Sequence, residues 1–124
     1  MNTADQKTKN SDLKDRLYLF ALNVISMVKT MPKKFVSIEL GRQLLRAGTS
    51  VAANYEEAAA GFSKPDFIFK MSIAFKEAKE ARLWLRLIYD SGILADRSVK
   101  TLIVEADEIS RILAASLKTA RSKS

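Results

Sequence analysis

The chain has 124 residues and a formal charge of +7, with neither cysteine nor histidine. That length suits one domain with its own core, and the missing thiol and imidazole exclude disulfides, zinc sites, cysteine nucleophiles and histidine general bases. The opening MNTADQKTKNSD is too polar for a signal peptide, and no apolar run approaches the roughly 18–20 residues of a membrane span, so a soluble cytoplasmic protein is expected.

Residues 1–11 read as a flexible basic tail. In LKDRLYLFALNVISMVKTM, Leu13, Leu17, Phe20, Val24 and Val28 recur at spacings of three and four, the stripe of a first helix that Pro32 ends. A second helix is expected from near Ser37 to Gly61. Ser63 then caps a third, with Pro65 in its first turn, and Gly92 stops it just past Ser91. The fourth starts after Asp96 or Ser98, and Leu102, Ala106, Ile109 and Leu113 form its stripe. Residues 120–124 read as a second basic tail. No strand pattern appears, so residues 12–119 are expected to fold as an all-α, antiparallel up-down-up-down four-helix bundle.

Two helices carry more than a core stripe. The third has one apolar face, Phe67, Met71, Ala74, Ala78, Ala81, Leu85 and Ile88, and a second stripe of Phe69, Ile73, Trp84 and Leu87. A helix apolar on two sides is buried on two sides or meets another chain, which favours a homo-oligomer. The second helix sets Gly41, Gly48, Ala52 and Ala59 on one line. Two glycines inside a helix, each costing about 1 kcal/mol against alanine, call for close packing against a neighbouring backbone or a large side chain such as Trp84.

On another side of that helix, Arg46, Ser50, Asn54 and Glu57 fall within an arc of about 80°. Glu77 and Glu80 lie beside the second stripe of the third helix, near Trp84 in sequence. Carboxylates among apolar residues need cations or donors, so Arg46, Asn54 and Glu57 are expected to form one structural network with Glu77 or Glu80; a solvated stripe is the equal alternative.

Charge is uneven along the chain. Residues 1–34 carry seven bases against three acids, and residues 111–124 carry Arg111, Lys118, Arg121 and Lys123 against none. Basic ends of this kind suit a polyanion, or serve solubility alone. Lys76, Lys79, Arg82 and Arg86 along the third helix join the basic ends as candidate nucleic-acid contacts. Exposed stacking aromatics are scarce, so electrostatic binding of weak sequence specificity is expected. Catalysis has little support. Glu77 with Glu80 and Glu105 with Glu108 are Glu-x-x-Glu pairs, but carboxylate-bridged metal bundles add histidines that are missing here; Ser50 has no base, and no glycine-rich phosphate loop exists. No cofactor or metal is expected.

QLLRAGTSVAANYEEA (Gln43–Ala58) and KPDFIFKMSIAFKEAKEARLWLRLI (Lys64–Ile88) resemble the four-helix-bundle proteins encoded in intervening sequences of bacterial 23S ribosomal RNA genes. The likeness covers residues 13–117. Arg46, Ser50, Asn54 and Glu57 match the family's spaced pattern, as do Phe67, Glu77, Glu80, Trp84 and Leu85. The chain departs at Leu45, Ala52 and Ala58, where relatives often have arginine, proline and glycine. The resemblance implies a closed homo-oligomer, typically a pentamer, without known enzymatic activity. A shorter likeness, in RLWLRLI (Arg82–Ile88) and ILAASLKTARSKS (Ile112–Ser124), is to the accessory bundle proteins of diversity-generating retroelements, and it implies nucleic acid and a reverse transcriptase as partners. A nucleic-acid-binding accessory factor is thus one expectation, and a protein-interaction scaffold the other.

Overall fold

The computed structural model describes the backbone of residues 3–123 and the side chains from Asp12 to Lys123. It contains four helices, α1 Thr3–Lys29, α2 Phe35–Ala59, α3 Lys64–Asp90 and α4 Arg97–Ser122, with no strand among the described residues. Helical backbone therefore extends beyond the apolar stripes at both ends of the chain.

The boundaries follow local chemistry. Pro32 lies in the break after α1. Ser63 Oγ accepts from the Asp66 backbone N–H at 3.3 Å, with Pro65 in the first turn of α3, so side chain and ring both favour a start there. Gly92 ends that turn region at φ +81, a left-handed conformation that costs glycine little. Asp96 caps α4 by accepting from the Val99 N–H at 3.3 Å. The second helix begins two residues before the expected Ser37, at Phe35, with no side-chain cap from Lys34.

Each helix packs on its neighbours in the chain, and α1 also meets α4, so four seams surround one core. Leu17, Phe20, Val24, Leu44, Val51, Met71, Leu85, Ile88, Val99, Ile109 and Leu113 are almost fully buried there. The α2/α3 seam is the most extensive and the α1/α4 seam the least. Register descends on one helix as it climbs on the next. Val24 meets Gly48 and Val28 meets Gly41 across α1/α2. Lys70 meets Glu57 and Glu77 meets Arg46 across α2/α3, and Ser72 meets Arg121 and Arg82 meets Asp107 across α3/α4.

Of the two kinds of neighbour expected for the glycine line, it meets an adjoining helix and not Trp84. A Cβ on Gly48 would lie 3.1 Å from both γ carbons of Val24, and one on Gly41 would lie 3.4 Å from Val28 Cγ1. These glycines let α1 approach α2, and Ala52 beside them is buried. Trp84 is not among their nearest neighbours.

Candidate nucleic-acid interface

Side chains between the helices separate into a structural ladder, a cationic seam and apolar rims. Across α2/α3, Arg46 lies 3.5 Å from Glu77 and 3.6 Å from Glu80, and thus serves both carboxylates. Glu77 is buried, and its Oε2 has no hydrogen-bond partner among the described residues; neither has the buried indole N–H of Trp84. The expected single network does not form. The Asn54 amide donates to the Ser50 carbonyl one turn back at 2.9 Å, and Glu57 pairs with Lys70 at 2.9 Å. Shared angle on a helix is not shared position: Glu57 stands eleven residues beyond Arg46, about 16 Å along the axis. The ladder has separate rungs.

A second polar contact was not foreseen. Arg16 on α1 donates through Nε and Nη2 to the two carboxylate oxygens of Glu105, both at 2.7 Å, and through Nη2 to Glu108 at 2.8 Å. The hydrogen bonds from Arg16 hold the Glu105 carboxyl below the usual carboxylate range, against partial burial that pushes it up. The two Glu-x-x-Glu pairs thus serve different arginines, and no group of three potential metal ligands gathers among the described residues.

The α3/α4 seam is cationic. Arg82 on α3 and Arg111 on α4 share Asp107, at 3.6 and 3.0 Å. Arg121 Nη2 donates to Ser72 Oγ at 3.1 Å, and the Lys79 ammonium sits 5.6 Å from the centre of the Phe75 ring. Lys76, Lys79 and Arg86 lie at spacings of three to seven on α3, and Lys118 and Arg121 three apart on α4. All five are exposed, and none has an ion-pair partner among the described residues. Lys123 is exposed beyond them, just past the end of α4. The eight predicted basic positions are therefore unequal. Asp107 partly neutralises Arg82 and Arg111, whereas the other six remain available to a polyanion.

The second apolar stripe of α3 is only partly core in the single chain, where Trp84 packs against the core and Phe69 does not. Phe69 and Leu87 are 62% and 42% exposed, while Ile73 and Trp84 are half-buried. A further rim flanks the α1/α2 seam, where Tyr18, Leu22 and Ile25 follow one side of α1 and Ile38 and Leu45 one side of α2, all exposed. Its signal in the sequence is the 18-22-25 spacing beside the core stripe.

The model of the 23S rRNA-intervening sequence protein family matches residues 9–115. A crystal structure of a protein of unknown function from the S23 ribosomal protein family of Bacteroides thetaiotaomicron is similar, with a TM-score of 0.78 and 33% identity over 86% of this chain and 98% of the other. No curated protein matches.

Proposed function

Because the chain belongs to the 23S rRNA-intervening sequence protein family, we propose that it is a non-catalytic, homo-oligomeric accessory protein that binds nucleic acid through its α3/α4 seam. The observation that carries this reading is the row of cations without an ion-pair partner among the described residues, Lys76, Lys79 and Arg86 on one helix with Lys118 and Arg121 on the other. Side chains three and four apart on two packed helices present their charges to the same strip of solvent, and counterions released from a phosphate backbone would drive association. The relevant machine is one built on RNA, including a reverse-transcriptase complex of the kind the weaker resemblance implies.

The descending register of facing residues supports an antiparallel up-down-up-down subunit. Exposed apolar residues beside the α1/α2 seam and, on α3, at Leu83 and Leu87 support assembly of such subunits. Two distinct rims suit head-to-tail contact, which closes into a ring when the rotation allows, and the resemblance implies five copies. The same rims favour a second reading, a protein-interaction scaffold whose cations only solubilise it.

A salt titration of binding to RNA and DNA separates the two. Replacing Lys76, Lys79 and Arg86 together by glutamine should lower affinity for every sequence and reduce the slope of log affinity against log salt by about 2–3. The triple replacement of Lys118, Arg121 and Lys123 should act alike. No binding by the parent protein at low salt, to single strand or duplex, would establish the scaffold.

A further inference from the structure

We propose that the groove where α3 begins beside the end of α4 is a stacking subsite for an unpaired base of a single-stranded nucleic acid, with Phe69 as its platform and Lys64 and Arg121 as its phosphate contacts. The inference rests on the nucleic-acid reading above and adds which form of nucleic acid the seam prefers.

The groove is shallow and open to solvent, with a volume of about 630 Å³, and is lined by Lys64, Pro65, Ile68, Phe69, Ser72 and Arg121. Its lining is an apolar floor with a few convergent polar groups, and its open shape suits one face of a flat base more than an engulfed ligand. Phe69 keeps 62% of its surface exposed, although Ile68 beside it is half-buried. The ring is thus presented outward by a rigid helix. Arg121 is held at the groove by its 3.1 Å hydrogen bond to Ser72 Oγ, which uses one of its five N–H donors and leaves the rest for an anion. Among the described residues no carboxylate lines the groove.

A base offers a π-face whatever its identity, so an aromatic platform beside cations accepts unpaired nucleotides without reading sequence. In a duplex that face is covered by the neighbouring pair, and the duplex has only its phosphates to offer. The groove also opens onto the cationic row. From Lys64 to Arg86, α3 spans about 33 Å of helical rise, long enough for a strand anchored at Phe69 to continue along Lys76, Lys79 and Arg86.

Fluorescence anisotropy with oligo-dT and with a duplex of equal phosphate count, at one salt concentration, tests the subsite on the full chain. Phe69→Ala should weaken oligo-dT binding about tenfold and leave duplex binding unchanged. Phe69→Trp should retain single-strand affinity, and Lys64→Gln with Arg121→Gln should weaken both ligands. Light scattering on Phe69→Ala should return the parent's mass. A smaller mass would make Phe69 a subunit contact and overturn the proposal. Equal loss on both ligands, or no loss on oligo-dT, would also overturn it while leaving the cationic reading intact, provided the lysine and arginine replacements still act. If the parent binds neither ligand, the underlying reading fails and the subsite with it.

Discussion

The α1/α2 and α3/α4 seams join helices of nearly equal length by opposite means. Between α1 and α2 the backbones approach over Gly41 and Gly48, valines fill the contact, and the outer rim is apolar at Tyr18, Leu22, Ile25, Ile38 and Leu45. Between α3 and α4 the outer contacts are Arg82 on Asp107, which Arg111 of the same helix also pairs, and Arg121 on Ser72, and the flanking residues are lysines and arginines. Water solvates the second rim well and the first poorly. One bundle therefore presents a surface suited to being covered beside a surface suited to a polyanion, and both arise from what lies one step outside the core stripe.

The largest effect should come from charging the apolar rim. Leu22→Asp with Leu45→Asp should abolish the proposed assembly and leave single chains by light scattering, because carboxylates would have to be desolvated in the contact. Both leucines are exposed in the single chain, so its helical circular dichroism should persist. An unchanged mass would assign assembly elsewhere, with Leu83 and Leu87 on α3 the next surface to charge.

Next in size is the packing of the same seam. Gly48→Val forces new carbons against Val24, already 3.1 Å from an added Cβ. Overpacking typically costs about 1–3 kcal/mol, and urea denaturation should find a loss near the upper end. Gly41→Ala is the contrast: its Cβ would make ordinary contact with Val28 at 3.4 Å, and alanine's higher helix propensity, worth up to about 1 kcal/mol, should leave the protein equally or more stable.

How much of this was legible in the sequence depends on whether a residue's partner is local. Ser63, Pro65 and Asp96 act within one turn, and the stripes of three-and-four spacing foretold four helices and their core. The partners of Gly48, Glu57 and Glu105 lie on other helices, and a wheel gives the angle of a side chain without its height. Arg46 with Glu77 and Glu80 was therefore recoverable as a set, but Asn54 and Glu57 were grouped with them by angle alone. Arg16 is separated from Glu105 by 89 residues, and only the closing of α1 onto α4 brings them together. The basic residues were visible as types. Their inequality depends on Asp107, whose place between two arginines no spacing announces.

The clasp of Arg16 ranks third. It braces the least extensive seam, with side chains still about one-third exposed, so Arg16→Ala should cost about 1 kcal/mol, between the values for exposed pairs and for charged hydrogen bonds. The pH dependence has a definite sign. Because the folded-state pKa of Glu105 is depressed, the clasp contributes fully above the ordinary carboxylate pKa, near 4.3–4.5, and is lost as pH falls through the lower folded value. Thermal melts should therefore show parent and Arg16→Ala converging as pH drops from 5 toward 3. A constant gap across that range would place the stabilisation in packing of the arginine stem instead.

The smallest stability change, with an informative sign, is expected for Asp107→Asn. Asp107 is one-third exposed, and its i,i+4 pair with Arg111 is of a kind worth about 0.3–0.5 kcal/mol, so stability should fall by less than about 1 kcal/mol. Binding should move the other way. The substitution removes the carboxylate from the middle of the cationic seam and frees Arg82 and Arg111, which adds up to two phosphate contacts. Affinity for nucleic acid at low salt should rise, and the slope of log affinity against log salt should steepen by up to about 2. Mutations that simply loosen the bundle weaken binding, so a gain accompanied by slight destabilisation is hard to obtain by any route except charge at this seam. Weaker or unchanged binding in Asp107→Asn would mean that the polyanion, if bound, lies elsewhere, and the contrast between the two seams would reduce to solubility.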